Sequence, residues 1–195
     1  MEGKKKIGLF FGSFNPIHTG HMIIANVMAE TTDLNKVWFV VTPQNPFKAS
    51  KNLLHDFDRY DMVRAAVYEN YKMEVSDIEF SLPKPNYTIN TLVHLKEKHP
   101  DKEFVVIIGE DNLASFEKWK NYKIILEDFG LYVYQRPNVQ PSKLKSHPNV
   151  TMVDAPLLDI SATFIRKCIR NNQSIRYLVP DPVEAMIRDK KFYLE

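Results

Sequence analysis

Short apolar runs rich in β-branched and aromatic residues recur along the 195-residue chain, separated by stretches whose apolar positions step by three and four. The runs "KIGLFFG", "KVWFVVTP", "YKMEVSDIEF", "EFVVIIGED", "GLYVYQRP" and "VTMVDAP" read as strands. Four of them are nearly continuous rather than alternating, as in strands covered on both faces. Between them, "GHMIIANVMAET", "DFDRYDMVRAAVYEN", "TINTLVHLKEKH" and "NYKIILEDF" read as helices. In the second, Tyr60, Val63, Ala66, Val67 and Tyr71 predict one apolar stripe. Alternating strands and helices predict an α/β fold: a doubly wound, mostly parallel, Rossmann-like sheet with helices on both faces.

The rhythm changes near the end. "SATFIRKCIRNN" and "DPVEAMIRDKKFYLE" predict two consecutive helices, so a helical part from about residue 159 to 195 completes a single domain of residues 1–195. Ser161 and Asp181 are the expected caps, and Pro182 suits a first helical turn. "TPQNPFKASKN" and "RPNVQPSKLKSHPN" are polar, Pro-bearing loops, the second long enough to be mobile.

Composition narrows the function more than the fold. The chain is 44% apolar and 26% charged, with a formal charge of +2, and no Lys/Arg block exceeds Lys4–Lys6. No nucleic-acid partner is therefore expected; a few placed cations suit a phosphorylated small molecule better. Cys168 is the only cysteine, which excludes an intrachain disulfide and an all-cysteine zinc site. The apolar part of "KKKIGLFFG" is too short for a signal peptide, and no run approaches a membrane span. A cytoplasmic protein is the expectation, with no membrane partner.

The candidate chemistry lies in "FGSFNPIHTGH", directly after the first apolar run. Gly12 closes that strand, and a small residue there lets main-chain N–H groups face a ligand at the carboxyl edge of the sheet. A helix begins near His18 or Thr19, so its positive end points at the same place. His18 and His21 share one helix face, and Gly20 between them leaves room for a close approach. By spacing alone the pair is also compatible with solvated surface or, given a third ligand, a metal site.

"GSFNPIHTGH" is similar to the H-x-G-H signature of a nucleotidyltransferase superfamily, and "ISATFIR" at 160–166 resembles its second signature. Within that superfamily the chain resembles the bacterial nicotinate-nucleotide adenylyltransferase family over almost its whole length, through "TPQNPFK", "NYTINTL", "IIGEDNLASFEKW" and "YQRP" in sequence order. Three positions depart from the family pattern: Asn15 where Asp is usual, Phe47 where His is common, and Ala162 for a Ser.

The resemblance implies transfer of the adenylyl group of ATP to nicotinate mononucleotide, giving deamido-NAD and pyrophosphate in NAD biosynthesis, with Mg²⁺ carried by the ATP phosphates and no protein metal ligand. It implies His18, His21 and Arg166 as catalytic donors. ATP would be held by these three with Gly12, Ser13, Phe14, Gly109, Asp111, Ile160, Ser161 and Thr163. The mononucleotide would be held by Asn45, Lys48, Thr88, Trp119 and Arg136. Asp111 and Thr88 are equally readable as helix caps, and Trp119 as a structural aromatic. Nicotinamide mononucleotide and phosphopantetheine remain alternative acceptors, a non-catalytic nucleotide sensor is the alternative of another class, and homo-oligomerisation stays open.

Overall fold

Alternate residues of the central strands feed two separate apolar cores. The computed structural model describes residues 4–47, 53–137 and 139–194. Strands β1 (Lys5–Gly12), β2 (Lys36–Val41), β3 (Met73–Ser76), β4 (Lys102–Gly109), β5 (Leu131–Tyr134) and β6 (Val150–Val153) form one sheet in the order β3-β2-β1-β4-β5-β6. All five pairings are parallel. Phe10, Phe39, Val105 and Ile107 enter one core, and Leu9, Val40, Val106 and Val133 enter the other. That is why these runs are apolar at successive positions.

Helices α1 (Thr19–Thr31) and α2 (Asp56–Val67) cover the first face, together with α6 (Ala162–Arg170) and α7 (Asp181–Asp189). The opposite face is covered by α3 (Thr88–Lys98), the short α4 (Glu110–Leu113) and α5 (Tyr122–Asp128). The doubly wound parallel sheet expected from the sequence is therefore present. The chain order reverses between β1, which continues outward through β2, and β4, reached by α3. The boundary between β1 and β4 is thus the switch point, the place where ligands gather in sheets of this kind. Among the described residues no helix is long and apolar enough to cross a membrane.

Several local expectations are corrected. The third strand covers only Met73–Ser76, and Ile78–Ser81 turn into a 3-10 helix. The Ser76 hydroxyl accepts from Ile78 N–H and the Asp77 carbonyl from Phe80 N–H, which ends the ladder. Helix α2 stops at Val67, so Tyr71 lies beyond it and is 81% exposed, off the predicted stripe. Pro180, not Asp181, holds the N-cap position of α7; Asp181 is its first residue and Pro182 follows in the first turn. Helix α7 ends at Asp189, after which the chain folds back so that Tyr193 is buried. Ser161 caps α6 as expected, accepting from Phe164 N–H at 3.2 Å. The long loop before β6 contains a 3-10 turn, Lys143–Ser146, capped by the Ser142 side chain.

Arg59 occupies a core position of α2, fully enclosed beside Met62 and Val63. Its Nε donates to the Leu54 carbonyl at 3.1 Å, and Nη1 donates to the carbonyls of Ser13 and Thr42. Nη2 meets Asp56 at 2.6 Å. Truncation would remove the donor from three main-chain carbonyls, that of Thr42 in a buried bond, and one partner of Asp56. Arg59→Ala is expected to lower unfolding free energy by about 3–5 kcal/mol, the scale for breaking a buried charged pair. A urea midpoint equal to the wild type would show that the loop does not depend on this side chain.

Candidate active site

The loop after β1 is built around an aromatic ring. Phe14 takes a left-handed φ of 44°, which turns its side chain back beneath the strand end. A β-carbon on Gly12 would come within 2.7 Å of that ring, so glycine is required there by close approach. The ring is buried against Phe10 and Phe39 and meets His21 edge-on, with centroids 5.1 Å apart. Phe14 therefore supports His21 from below.

His18 is the N-cap residue of α1. Its main-chain N–H donates to His21 Nδ1 at 3.3 Å, which places the proton of a neutral His21 on Nε2. The two imidazoles stack with centroids 3.6 Å apart at 25°. A β-carbon on residue 20 would lie 3.1 Å from His18 Nδ1. The room expected at Gly20 is thus used by the His18 ring itself. His18 is only 6% exposed, and its enclosed Nδ1 has no hydrogen-bond partner. Burial first, and the Arg136 guanidinium second, hold its pKa down at about 4.

Phe10, His18, Gly20, His21, Tyr134, Arg136 and Ile160 line one cleft, with Pro156 and Leu158 at its side. Arg136 donates from Nη2 to the Tyr134 hydroxyl at 3.3 Å, its Nε lies 3.8 Å from Asp111, and its guanidinium lies over the Tyr134 ring. Asp111 is the second residue of α4, which has Gly109 at its N-cap, so the capping reading of Asp111 does not hold. The Asp111 carboxylate lies close over Gly109, 2.3 Å from where a β-carbon there would stand.

Arg166 reaches the first loop from the far end of the chain. Its Nη1 donates to the Asn15 carbonyl at 2.6 Å and its Nη2 to the Thr163 hydroxyl at 3.3 Å. The Asn15 side-chain oxygen accepts from Tyr193 Oη at 3.0 Å and from Leu54 N–H at 3.2 Å. Asn15 thus carries structural hydrogen bonds without charge. The Thr19 N–H and hydroxyl are taken by the carbonyls of Leu178 and Tyr177, each at 2.9 Å.

On the loop after β2, Asn45 caps its own turn, accepting from Phe47 N–H at 2.8 Å. Asn86 pins that loop to the start of α3: its N–H donates to the Gln44 carbonyl at 2.9 Å, and its side-chain oxygen accepts from Gln44 N–H at 3.2 Å. Thr88 is the first residue of α3 and Tyr87 is the cap, so the capping reading of Thr88 is also corrected. Lys120 lies over the Tyr87 ring at 4.7 Å, which brings Trp119 to the same helix end. Trp119 is half-buried and packs at 47° on Phe116. Phe47 is 59% exposed, and Lys48 lies outside the described residues. Sequence reasoning missed Arg59, Tyr134 and Asn86. Arg59 was detectable, because it stands three and four residues before Met62 and Val63 on the buried face.

A parallel sheet of this order, with an imidazole pair at the carboxyl end of its first strand and an arginine returning from a late helix, defines a nucleotidyltransferase. The family model for cytidylyltransferase-like proteins matches residues 9–168. More particularly, the chain belongs to the nicotinate-nucleotide adenylyltransferase family. It is 60% identical over 188 residues to the "Probable nicotinate-nucleotide adenylyltransferase" of Cytophaga hutchinsonii, covering 96% of this chain and 98% of that protein. The protein of the same name from Flavobacterium johnsoniae is 51% identical over 190 residues, with 96% and 98% covered. In fold, the chain resembles Plasmodium falciparum nicotinic acid mononucleotide adenylyltransferase complexed with NaAD, at a TM-score of 0.81, 20% identity and 97% coverage of both chains.

The His18 environment has a measurable consequence. Between about pH 6.5 and 4 the unfolded chain binds a proton at His18 that the folded chain refuses. This contribution to stability is complete above pH 6.5 and is lost as pH falls toward 4. Urea midpoints over that range should fall less steeply for His18→Ala than for the wild type. An NMR titration should place the His18 imidazole near 4; a value near 6.5 would contradict the enclosed geometry.

Proposed function

We propose that the protein joins ATP and nicotinate mononucleotide to give deamido-NAD and pyrophosphate, a step of NAD biosynthesis. A phosphate oxygen of the mononucleotide attacks the α-phosphorus of ATP. The new P–O bond forms as the bond to the β-phosphate oxygen breaks, and that electron pair leaves with pyrophosphate. The acceptor phosphate is already ionised near neutral pH, so alignment and stabilisation of charged oxygens carry the catalysis. The observation that supports this reading best is the 2.6 Å bond from Arg166 to the Asn15 carbonyl. It ties the second signature to the loop that ends in the imidazole pair.

In this reading neutral His18, together with His21, donates to α-phosphate oxygens, and Arg166 meets the β- and γ-phosphates beside the α6 N-terminus, where Ser161 and Thr163 stand. Main-chain groups of Gly12, Ser13, Phe14 and Gly109, with Ile160 and Asp111, complete the ATP side. Arg136, sharing the histidine cleft, receives the mononucleotide phosphate. Trp119 stacks on the pyridine ring, while the α3 N-terminus at Thr88 takes its carboxylate, and Asn45 and Lys48 serve the mononucleotide as further contacts. A helix N-terminus favours the acid over the amide.

Among the described residues no three His, Cys, Asp or Glu side chains gather into a metal-binding group. The donors in the cleft are imidazole and guanidinium nitrogens, which fits Mg²⁺ carried by the triphosphate and water; the ion would neutralise phosphate charge. A cytoplasmic location follows from these substrates.

Pyrophosphate release decides the reading. It is expected with ATP plus nicotinate mononucleotide, far less with nicotinamide mononucleotide or phosphopantetheine, and not with ATP alone. Equal release with phosphopantetheine, or none with any acceptor, would overturn it. His21→Ala should lower kcat by roughly 10²-fold, the scale for one lost oxyanion donor. Trp119→Ala should raise KM for the mononucleotide while leaving that for ATP near the wild-type value; equal changes in both would remove the stacking role.

A further inference from the structure

Glu79, on the 3-10 turn after β3, is 1% exposed. Its Oε1 meets the Thr91 hydroxyl of α3 at 2.6 Å. Its Oε2 is enclosed with no hydrogen-bond partner of ordinary geometry, although the Thr42 side chain, just past the end of β2, stands beside it. The Glu79 main-chain carbonyl accepts from Asn86 Nδ2 at 3.1 Å. Asn86 in turn holds both main-chain groups of Gln44. One buried acid thus stands behind both segments that flank the mononucleotide side: the loop from Thr42 to Phe47 and the start of α3.

A carboxylate there would hold its charge almost fully desolvated, with the Thr91 and Thr42 hydroxyls beside it and no ion pair among the described residues. Ionised groups on the surrounding elements are engaged elsewhere. Arg59 of α2 is committed to Ser13, Thr42, Leu54 and Asp56, and Lys84 pairs with Asp56 at 3.1 Å. Asp77 is exposed before the turn, and His94 lies one turn beyond Thr91 on α3. Burial pushes the Glu79 carboxyl above the ordinary range, against smaller opposing effects of Thr91 and Thr42.

We propose that Glu79 is a neutral carboxylic acid near pH 7 that links Thr91 to Thr42 and so positions the mononucleotide half of the cleft. Glu79 is a positioning residue and touches no substrate. The kinetic part rests on the function proposed above, whereas the protonation state does not. The folded chain keeps this proton at pH values where the unfolded chain has released it. The resulting stability is fully present below the unfolded value of 4.5 and is lost as pH rises through the folded value.

Two measurements on the full chain test it. Infrared difference spectra of wild type and Glu79→Gln at pH 7 should show the carbonyl stretch of one protonated carboxylic acid that the variant lacks. Glu79→Ala should raise KM for nicotinate mononucleotide roughly tenfold, the scale of one lost hydrogen bond, with kcat and the KM for ATP little moved. Glu79→Gln should restore the lower KM and make it independent of pH. Absence of the acid band overturns the neutral state. A Gln variant no better than Ala, or an equal rise in both KM values, overturns the positioning role. If the mononucleotide proves not to be a substrate, the infrared band still decides the protonation state; if the Ala variant does not fold, the Gln variant still decides both.

Discussion

Main-chain carbonyls that are buried but belong to no helix or ladder must find donors elsewhere, and the cleft depends on how that is done. Ser13, Thr42, Leu54 and Asn15 present such carbonyls around the turn that follows β1. Two guanidinium groups supply the donors, Arg59 from α2 and Arg166 from α6. A planar group with five donors can serve several carbonyls at once, which a lysine ammonium on a flexible stem would do less well. The turn is therefore held by cations brought from distant parts of the chain, and one of these belongs to the second signature.

The same device sets the electrostatics. Arg59 is fully enclosed and partly neutralised by Asp56, whereas Arg166 and Arg136 are only half-buried and stand nearer to solvent. The His18 imidazole, stacked on His21, is held neutral, because burial and the Arg136 charge both disfavour a further positive charge on it. In the proposed function a polyanion entering this cleft meets guanidinium cations and imidazole donors, of which His18 is uncharged. Those donors need no reorganisation as charge moves across the phosphate chain.

The C-terminal segment completes the arrangement. Carbonyls of Tyr177 and Leu178 engage Thr19 at the start of α1, and the Tyr193 hydroxyl engages Asn15. Part of the α1 N-terminus is thereby occupied by the protein itself. At the α6 N-terminus the Ser161 hydroxyl takes the Phe164 N–H, and Arg166 donates to the Thr163 hydroxyl. At the loop after β2, Asn86 joins Gln44 to the Glu79 carbonyl, and the Glu79 side chain accepts from Thr91 of α3.

Hydrophobic periodicity alone determines much of this molecule. Successive apolar residues in β1, β2, β4 and β5 require cover on both faces, and a parallel sheet with alternating helices is the arrangement that provides it. His18, His21 and Arg166 were legible as types in motifs, since short spacings survive any fold. Tertiary structure decided the rest. The Tyr71–Phe80 run is apolar enough for a strand, yet the Ser76 hydroxyl and the Asp77 carbonyl take the N–H groups a ladder would need. Tyr71 follows the stripe by number, but α2 has ended before it. Nothing in the spacing shows that Gly20 makes room for His18, that Arg59 serves the first turn, or that Tyr193 returns to Asn15. Periodicity reports which face of an element is buried; which distant groups then meet inside that burial depends on the packing of the whole chain.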